Sequence, residues 1–378
     1  MRSKYKLGDL ITQRREKNNE IGLPISGVSK DGLIPPKQID ADTSIYNIFY
    51  RKDFIFNPAR MELNSIAFND KYDKAICSSL YEVFYVHRTD LIIPEYLALI
   101  VKQNWFTRYC EFLGQGSARE YCRFVNISEI EIDFPNIEIQ KKIVYCYNVI
   151  NKRITIKQRI NDNLETTVQA IFKSIFIEYE NTDYSNYIEF EYGKYPANWN
   201  LVDLDMIVDV RDGTHDSPSP CVNGKYLITS RHLLPYTVDR SDAYFISETE
   251  YNKANERSKV EYGDILFSMI GTIGIISFIT DQEIDFAIKN VGLFRTSQNP
   301  NVRYFILSYL KSIIVEKYIS SYMSGSTQSY VSLNVLRKIP LILPPDNVLN
   351  HFEEQVAPFY LRMIDNTKEM IKLVVWLK

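Results

Sequence analysis

The chain has 378 residues, of which 45% are apolar and 24% are charged, and its formal net charge is −3. This length accommodates roughly two to three domains with their own cores, and the composition is that of a globular protein rather than a disordered one. The slight negative charge argues against a protein that coats nucleic acid non-specifically, although local basic loops could still bind DNA.

The N-terminal segment is basic but not apolar. Residues 2–17 carry six basic side chains against two acidic ones, which fits a DNA-contacting face and a solvated surface equally. No apolar run follows these charges and no window reaches about 18 apolar residues, so neither a signal peptide nor a membrane span is predicted. Five cysteines without a Cys-x2-Cys spacing fit reduced thiols, and we expect a cytoplasmic protein.

The first part of the chain is predicted to be a mixed α/β module. Short apolar runs at 53–56 and 81–86 predict strands, and residues 94–112 predict a helix with Pro94 at its start and Gly114 just past its end. From Ile139 to Phe176 there is no proline or glycine. Apolar residues there alternate in steps of four and three, except at two positions, Lys157 and Asn161. This pattern predicts a coiled-coil helix about 60 Å long.

The second part repeats this order. Runs at 264–268 and 272–279 predict strands, and a helix is predicted over 302–323, closed by Gly325. A second coiled-coil seam, about 50 Å long, follows at Phe352, Val356, Phe359, Met363, Asn366, Met370, Leu373 and Leu377. Pro358 lies inside this seam and predicts that the helix is confined to later residues or is kinked there. Because exposed seams are unfavourable in water, we expect the two long helices to pack as an antiparallel coiled coil. Such packing would relate the modules by a pseudo-two-fold axis.

The two parts are copies of one unit. Gly116, Ser117, Tyr121, Ile130 and Pro135 recur 209 residues later as Gly325, Ser326, Tyr330, Ile339 and Pro344. Upstream, Tyr96 and Tyr304 lie 208 apart, and Asp53 and Phe56 match Asp264 and Phe267 at 211. Further upstream, Leu7, Asp9 and Leu10 are aligned with Leu201, Asp203 and Leu204 at 194. The increase in offset from 194 to 211 predicts that the second copy has about 17 extra residues between Asp203 and Asp264.

Several local signatures accompany the repeat. They are ISGVSKDGLIPP at 25–36, FNPARM at 56–61 followed by Asn64-Ser-Ile, DGTH at 212–215, GDILFS at 263–268 with GTIG at 271–274, and KNV at 289–291. In this order, and with two Gly-Ser loops that each lead through a proline into a long helix, the chain resembles the DNA-specificity subunits of type I restriction-modification systems. The resemblance covers essentially all of the sequence.

The resemblance implies an α/β (α+β) fold with two target-recognition domains, at 1–136 and 188–345, and two long spacer helices, at 137–180 and 346–378. Each domain would read one half of a bipartite, asymmetric target in double-stranded DNA. The helices would dock modification (methyltransferase) subunits, two being expected, and restriction (helicase-nuclease) subunits would join through the complex. No cofactor is expected in this chain, whereas S-adenosylmethionine, ATP and Mg are expected in the partner subunits. The sequence preference is expected where the copies differ, around 11–52 and 205–263.

The DNA contacts are expected in loops that combine glycine with polar or basic side chains, because base edges and phosphates are bound by such groups. The candidates in the first module are Ser26, Lys30, Lys37, Asn57, Arg60, Ser117 and Arg119. Those in the second module are Thr214, His215, Arg231, His232, Lys289, Ser326 and Gln328. Each has a structural alternative: Asn57 could form the turn before Pro58, and Asp212-Gly213 is a common turn pair.

A catalytic role is not expected. Phe112-Leu-Gly-Gln-Gly116 fits the loose FxGxG pattern of a methyltransferase cofactor loop, but here a helix precedes the loop and a strand-like run follows it, the reverse of what that site needs. The four histidines are scattered, and neither a zinc spacing nor a P-loop occurs. The alternative function is a coiled-coil adaptor whose modules bind protein, which would respond to salt much less than a DNA-binding protein.

Overall fold

The computed structural model describes residues 3–36, 42–114, 121–179, 186–323 and 330–377. The chain divides into two compact units, Met1–Lys152 and Arg153–Lys378. The boundary between them along the chain falls within the long helix Ile137–Phe176. Each unit combines helices with short strands. The predicted mixed α/β class is thereby confirmed, and each unit is described by itself below.

The first unit, unit 1, contains ten strands and the beginning of a long helix in its described residues. The strands are β1 (Ser3–Lys6), β2 (Ile11–Arg14), β3 (Gly27–Ser29), β4 (Gly32–Ile34), β5 (Asn47–Tyr50), β6 (Phe54–Phe56), β7 (Ile66–Phe68), β8 (Lys74–Cys77), β9 (Glu82–Val86) and β10 (Glu131–Phe134). The helices are α1 (Pro94–Val101), α2 (Asn104–Gly114), α3 (Phe124–Ser128) and α4 (Ile137–Phe176).

A four-stranded antiparallel sheet forms the centre of unit 1, with the strand order β2-β9-β6-β7. Its strands are short and rich in Phe, Ile and Val, which pack well on a pleated surface. Phe54 and Phe84 stack in the core with ring centroids 4.9 Å apart. The strand pair β1–β10 lies beside a short 3-10 turn at Leu7–Asp9, where the Leu7 N–H donates to the Ile130 carbonyl at 2.8 Å.

The second unit, unit 2, contains the end of α4 and the remaining elements. Its strands are β11 (Tyr187–Phe190), β12 (Gly193–Pro196), β13 (Asn200–Asp203), β14 (Val210–Asp212), β15 (Lys225–Ile228), β16 (Leu233–Leu234), β17 (Thr237–Val238), β18 (Phe245–Ile246), β19 (Ile265–Ser268), β20 (Ile276–Phe278), β21 (Phe286–Ile288), β22 (Val291–Phe294) and β23 (Pro340–Leu343). Its helices are α5 (Glu248–Ser258), α6 (Arg303–Tyr309), α7 (Ile313–Met323), α8 (Leu333–Arg337) and α9 (Asp346–Leu377).

The internal repeat is confirmed element by element. The sheet β14-β22-β19-β20 has the same order and antiparallel pairing as the sheet of unit 1, and β13–β23 corresponds to β1–β10. The Leu204 N–H donates to the Ile339 carbonyl at 3.0 Å, as Leu7 does to Ile130. Leu7 therefore corresponds to Leu204, an offset of 197, and the alignment at 194 was wrong by three residues. The second copy then has 14 extra residues before Asp264 rather than 17.

The helix predicted before each Gly-Ser loop is two helices in both copies. The breaks fall between α1 and α2 and between α6 and α7, and α2 and α7 begin exactly 209 residues apart. In unit 1 the side-chain amide of Asn64 donates to the Val101 carbonyl at 2.9 Å, which satisfies a carbonyl at the end of α1. This cap comes from a distant loop, so the apolar periodicity along the helix could not reveal the break.

The copies differ beside the shared sheet. Unit 1 adds the antiparallel pairs β3–β4 and β5–β8, whereas unit 2 adds the sheet β18-β15-β21, in which β15 and β21 run parallel. Helix α5 packs near β21 in this added layer, and unit 1 has no counterpart among its described residues. Strands β3, β4, β5, β15 and β18 and helix α5 lie within the segments 11–52 and 205–263, where the sequences differ most, but β8 and β21 lie outside them.

The two long helices pack antiparallel within unit 2. Phe172 of α4 contacts Phe352 of α9 with ring centroids 5.9 Å apart, while Asn161, earlier in α4, bonds Asn366, later in α9. Helix α9 runs continuously through Pro358, so the prediction of a helix confined to later residues was wrong. Pro358 occupies an exposed position, where the carbonyl that loses its helical donor can be hydrated.

Candidate nucleic-acid interface

In both units one end of the four-stranded sheet gathers polar loops. Arg14, Phe56 and Glu82 mark this end in unit 1, and Asp212, Ser268 and Val291 mark it in unit 2. We call it the loop end of the sheet. The strand pairing places corresponding ends of corresponding strands at the loop end in both units. The polar loops of the two units are thus equivalent in topology although their sequences differ.

Residues just after the two Gly-Ser segments lie at this loop end. The Cys122 N–H donates to the Pro58 carbonyl at 3.0 Å, and the Val331 N–H donates to the Met269 carbonyl at 2.9 Å. Both acceptors lie just after the central strands β6 and β19. The candidates Lys37, Ser117, Arg119, Ser326 and Gln328 lie outside the described residues.

A cleft of about 1590 Å³ opens beside the loop end of unit 1. It brings together the four described candidates of this module, Ser26, Lys30, Asn57 and Arg60. Residues from five separate stretches line it, with gaps: 25–36, 57–65, 78–82, 102–107 and 121–123, together with Tyr46. The cleft is mixed in charge, since Asp31, Glu62 and Glu82 also line it.

Two of these candidates have structural roles. Ser26 is 3% exposed, and its hydroxyl donates to the carbonyls of Gly27 and Ile34 at 3.2 and 3.1 Å. The side-chain oxygen of Asn57 accepts from the Ala59 N–H at 3.1 Å and caps the 3-10 helix Pro58–Leu63. The structural alternative for Asn57 is therefore realised. Ser26 is too buried to reach a base edge without repacking.

The exposed cations of the cleft are better placed for a polyanion. Lys30, Arg60 and Arg123 are exposed, and no ion pair to any of them occurs among the residues that the structure describes. The Arg123 guanidinium lies 5.8 Å from the ring centre of Tyr121, the residue that follows the Gly-Ser loop. Lys102 donates to the carbonyls of Lys30 and Ile66 at 2.8 and 2.7 Å, and burial lowers its pKa.

In unit 2 a polar cluster occupies the loop end. The His215 ring lies between Asn290 Oδ1, 2.7 Å from Nδ1, and Asp212 Oδ2, 3.1 Å from Nε2. Asp212 is 2% exposed and also pairs with Arg257. Thr214 forms a β-bridge with Lys289, so the candidates Thr214, His215 and Lys289 lie side by side.

Gly213 makes this arrangement possible. A Cβ at this position would lie 2.3 Å from the Ile288 carbonyl oxygen, closer than real Cβ contacts allow. The Asp212-Gly213 pair is therefore needed for close backbone approach and is more than a simple turn. The Lys289 ammonium donates to the Ser217 hydroxyl at 2.5 Å across the same loops.

The two remaining candidates differ in exposure. Arg231 is exposed and lies 3.7 Å from an Asp242 carboxylate oxygen. His232 is 1% exposed, its Nδ1 accepts from the Thr229 N–H at 2.9 Å, and burial lowers its pKa. A neutral ring in this position stabilises the short 3-10 turn Ser230–His232. Like Ser26, His232 is too buried to contact DNA without repacking.

Three of the basic side chains in the N-terminal segment are paired with acids. Lys4 pairs with Glu131, Lys6 lies 2.7 Å from Glu129, and Arg14 donates to the buried Asp53 at 2.7 Å. Strand β10 alternates exposed and buried residues, which places its acidic side chains, Glu131 and Asp133, on the solvated face. Arg15 and Lys17 donate instead to the neutral oxygens of Gln13 and Ile45, so the segment fits both a solvated surface and a DNA-contacting face.

Sequence reasoning missed several residues of the two loop ends. Lys102, Tyr121 and Arg123 line the cleft of unit 1, and Asn290 and Arg257 complete the cluster of unit 2. Asn290 was within a motif, Lys289-Asn-Val291, and its positive φ of 51° is a position that asparagine tolerates well. Arg257 sits on α5 and no local pattern marks it, because only the fold brings it to Asp212.

The described ranges contain neither a metal-binding cluster nor a membrane-spanning helix. No group of three or more His, Cys, Asp and Glu side chains is placed there to hold a metal ion. In the same ranges, no helix combines the length and the apolar character needed to cross a bilayer.

Comparison with known proteins is consistent with a nucleic-acid interface. A family model described as the type I restriction modification DNA specificity domain matches the chain twice, over residues 11–166 and 196–357. The chain is 25% identical over 304 residues to the type I restriction enzyme MjaIX specificity subunit of Methanocaldococcus jannaschii, covering 75% of this chain and 66% of that protein. It is 21% identical over 355 residues to the HindI specificity subunit of Haemophilus influenzae, covering 75% of each.

A solved structure has the same fold. The crystal structure of a type I restriction-modification system S subunit from M. genitalium matches with a TM-score of 0.56 and 14% sequence identity. The match covers 100% of this chain and 94% of that one. At this identity the likeness concerns the fold alone.

Proposed function

The chain belongs to the family of type I restriction modification DNA specificity domains, and from this premise we propose that it is the non-catalytic subunit that selects the DNA target of a restriction-modification complex. The modules at 1–136 and 188–345 each read one half of a bipartite, asymmetric target. The long helices at 137–180 and 346–378 separate them and dock modification subunits, two being expected. S-adenosylmethionine, ATP and Mg belong to the partner subunits in this proposal, and restriction subunits join through the complex.

One observation carries the proposal. Each unit presents polar loops at the equivalent end of its own four-stranded sheet, with Lys30, Arg60 and Arg123 in unit 1 and His215 and Lys289 in unit 2. Cations and amides in loops bind phosphates and base edges, so each loop end suits one half-site. Because the surrounding layers of the two units differ in topology, the two half-sites should differ in sequence.

A map of methylated adenines in cells with and without this gene tests the proposal. We expect a bipartite motif that disappears when the gene is deleted. Arg60→Gln with Arg123→Gln should alter modification through one half-site, and Lys289→Gln should alter it through the other. An unchanged methylome after deletion would contradict the proposal and would favour the protein-binding adaptor.

Salt dependence gives a second, independent measurement. The affinity of the assembled complex for its target should fall steeply as salt rises, since each phosphate contact releases condensed counterions. Lys4→Gln serves as a matched control, because Lys4 is already paired with Glu131. It should leave the salt slope unchanged.

A further inference from the structure

The polar interruptions in the two coiled-coil seams meet each other. Asn161 of α4 is 6% exposed and Asn366 of α9 is fully buried. The Asn366 amide donates to Asn161 Oδ1 at 2.8 Å. The Asn161 amide in turn donates to the Met363 carbonyl and to the Thr367 hydroxyl, both at 3.2 Å. Each amide thus finds its partner on the opposite helix.

Charged side chains extend this contact. The Lys157 ammonium donates to Asn366 Oδ1 at 2.9 Å and lies 2.7 Å from Glu369, and the Lys157 side chain is only 12% exposed. Arg153 donates to the same Glu369 at 2.5 Å. We call Arg153, Lys157, Asn161, Asn366 and Glu369 the interhelical polar cluster. All five belong to unit 2.

The cluster is satisfied in one alignment of the helices. If α9 slid along α4 by one heptad, Asn366 would face Ile154 or Val168 and would lose its side-chain partners. A buried amide without a partner is unfavourable, and so is a buried ammonium without its carboxylate. An apolar seam alone discriminates less between such alignments, because one apolar residue replaces another.

We infer that the interhelical polar cluster specifies the axial alignment of α4 and α9. The module of unit 2 packs on both helices, through Val168 and Phe172 of α4 and Phe352 of α9. The alignment therefore sets which stretch of α4 this module occupies, and so how many helical residues lie between Ile137 and the module. If the modules read half-sites, as the proposed function states, the axial alignment determines the gap between the half-sites, and the interhelical polar cluster determines that alignment.

Cross-linking in the full chain tests the alignment without DNA. Cys146→Ser and Cys221→Ser remove the two cysteines that are not buried. In this background, a short thiol-specific linker should join Arg153→Cys to Glu369→Cys. It should not join Arg153→Cys to Arg362→Cys or to Trp376→Cys, which correspond to slides of one heptad.

Asn161→Leu with Asn366→Leu removes the amide pair and keeps the seam apolar. We expect one of the slid cross-links to appear beside the native one. Ile154→Leu with Met370→Leu, made in the same cysteine background, changes packing and keeps Lys157, Asn161 and Asn366 in place. It is the control and should give the native cross-link alone. If the Asn variant also gives the native cross-link alone, apolar packing fixes the alignment and the inference fails.

Thermal unfolding supplies a second measurement that does not need the slid state. Asn161→Leu alone leaves the Asn366 amide without its partner and should lower the unfolding midpoint. Adding Asn366→Leu should recover most of that loss, since no unpaired amide remains. If Asn161→Leu and Asn366→Leu each lower the unfolding midpoint and the two decreases add, the residues do not act as a pair and the inference fails.

Methylation mapping then connects alignment to the target. With the Asn double variant, we expect additional methylated sites whose half-sites are unchanged but whose gap differs by roughly three base pairs per heptad. A slid cross-link with an unchanged gap would overturn the link to the target. The absence of any motif with the wild-type chain would instead refute the proposed function and leave the cross-linking result standing.

Discussion

Glu353 is a half-buried carboxyl where the second long helix packs against its module. Its Oε1 accepts from the Phe305 N–H at 2.7 Å, at the start of α6, and burial raises its pKa from 4.5 to about 7. Between these values the folded protein binds the proton more tightly than the unfolded chain does. The free energy of unfolding therefore falls as pH rises through this window and stays lower above it. A shift of about 2.5 pH units corresponds to about 3 kcal/mol.

Glu353→Gln keeps the acceptor oxygen and removes the charge. We expect it to be near neutral below pH 4.5 and to raise the free energy of unfolding by about 3 kcal/mol above pH 7. Urea unfolding can be followed by the fluorescence of Trp199, which is 3% exposed in unit 2, after Trp105→Phe and Trp376→Phe remove the other tryptophans. Glu354→Gln, at the exposed neighbouring position, is the matched control. A pH-independent effect of Glu353→Gln would refute the reasoning.

Three further substitutions or insertions have defined outcomes. Inserting one heptad into both long helices should lengthen each helix by about 10 Å. The gap of the methylated motif should widen by roughly three base pairs while both half-sites stay unchanged. An unchanged gap would show that the helices do not act as spacers. Gly213→Ala places a Cβ 2.3 Å from the Ile288 oxygen, so it should cost about 1–3 kcal/mol in thermal unfolding and impair one half-site. Gly193→Ala, whose Cβ would meet only the Phe190 ring at 3.7 Å, an ordinary contact distance, should do neither. Arg60→Gln should weaken DNA binding and reduce the salt slope by about one if Arg60 contacts phosphate, and an unchanged slope in a binding titration would exclude that contact.

Much of the frame could be predicted from local patterns. The helix α4 begins two residues from its predicted start at Ile139 and ends at Phe176 as expected, because a long seam without proline or glycine has few alternatives. The strands β6, β9 and β19 lie within their predicted runs. The alignment of Leu7 failed because three similar residues matched by chance at the wrong offset, and only the hydrogen bond to Ile130 identifies the true equivalent.

The candidate site was predicted less completely. The described candidates of unit 1 line one cleft, and Thr214, His215 and Lys289 of unit 2 lie side by side, whereas Arg231 and His232 have other partners. The patterns could not separate an exposed cation such as Arg60 from a buried ring such as His232, because exposure depends on neighbours that are distant in sequence. Lys102 and Arg257 were missed for the same reason.

The sequence by itself determined that the chain is one unit built twice, with two long helices whose seams are each interrupted by polar residues. Periodicity and repeat offsets are local properties of the chain, so they can be read without the fold. Only the tertiary structure decided that these interruptions, Asn161 and Asn366, bond each other across the helix pair. The pairing of Arg257 with Asp212 is likewise visible only in the tertiary structure. Such contacts join residues 45 or more positions apart, and a local sequence pattern does not indicate which distant residue will be the partner.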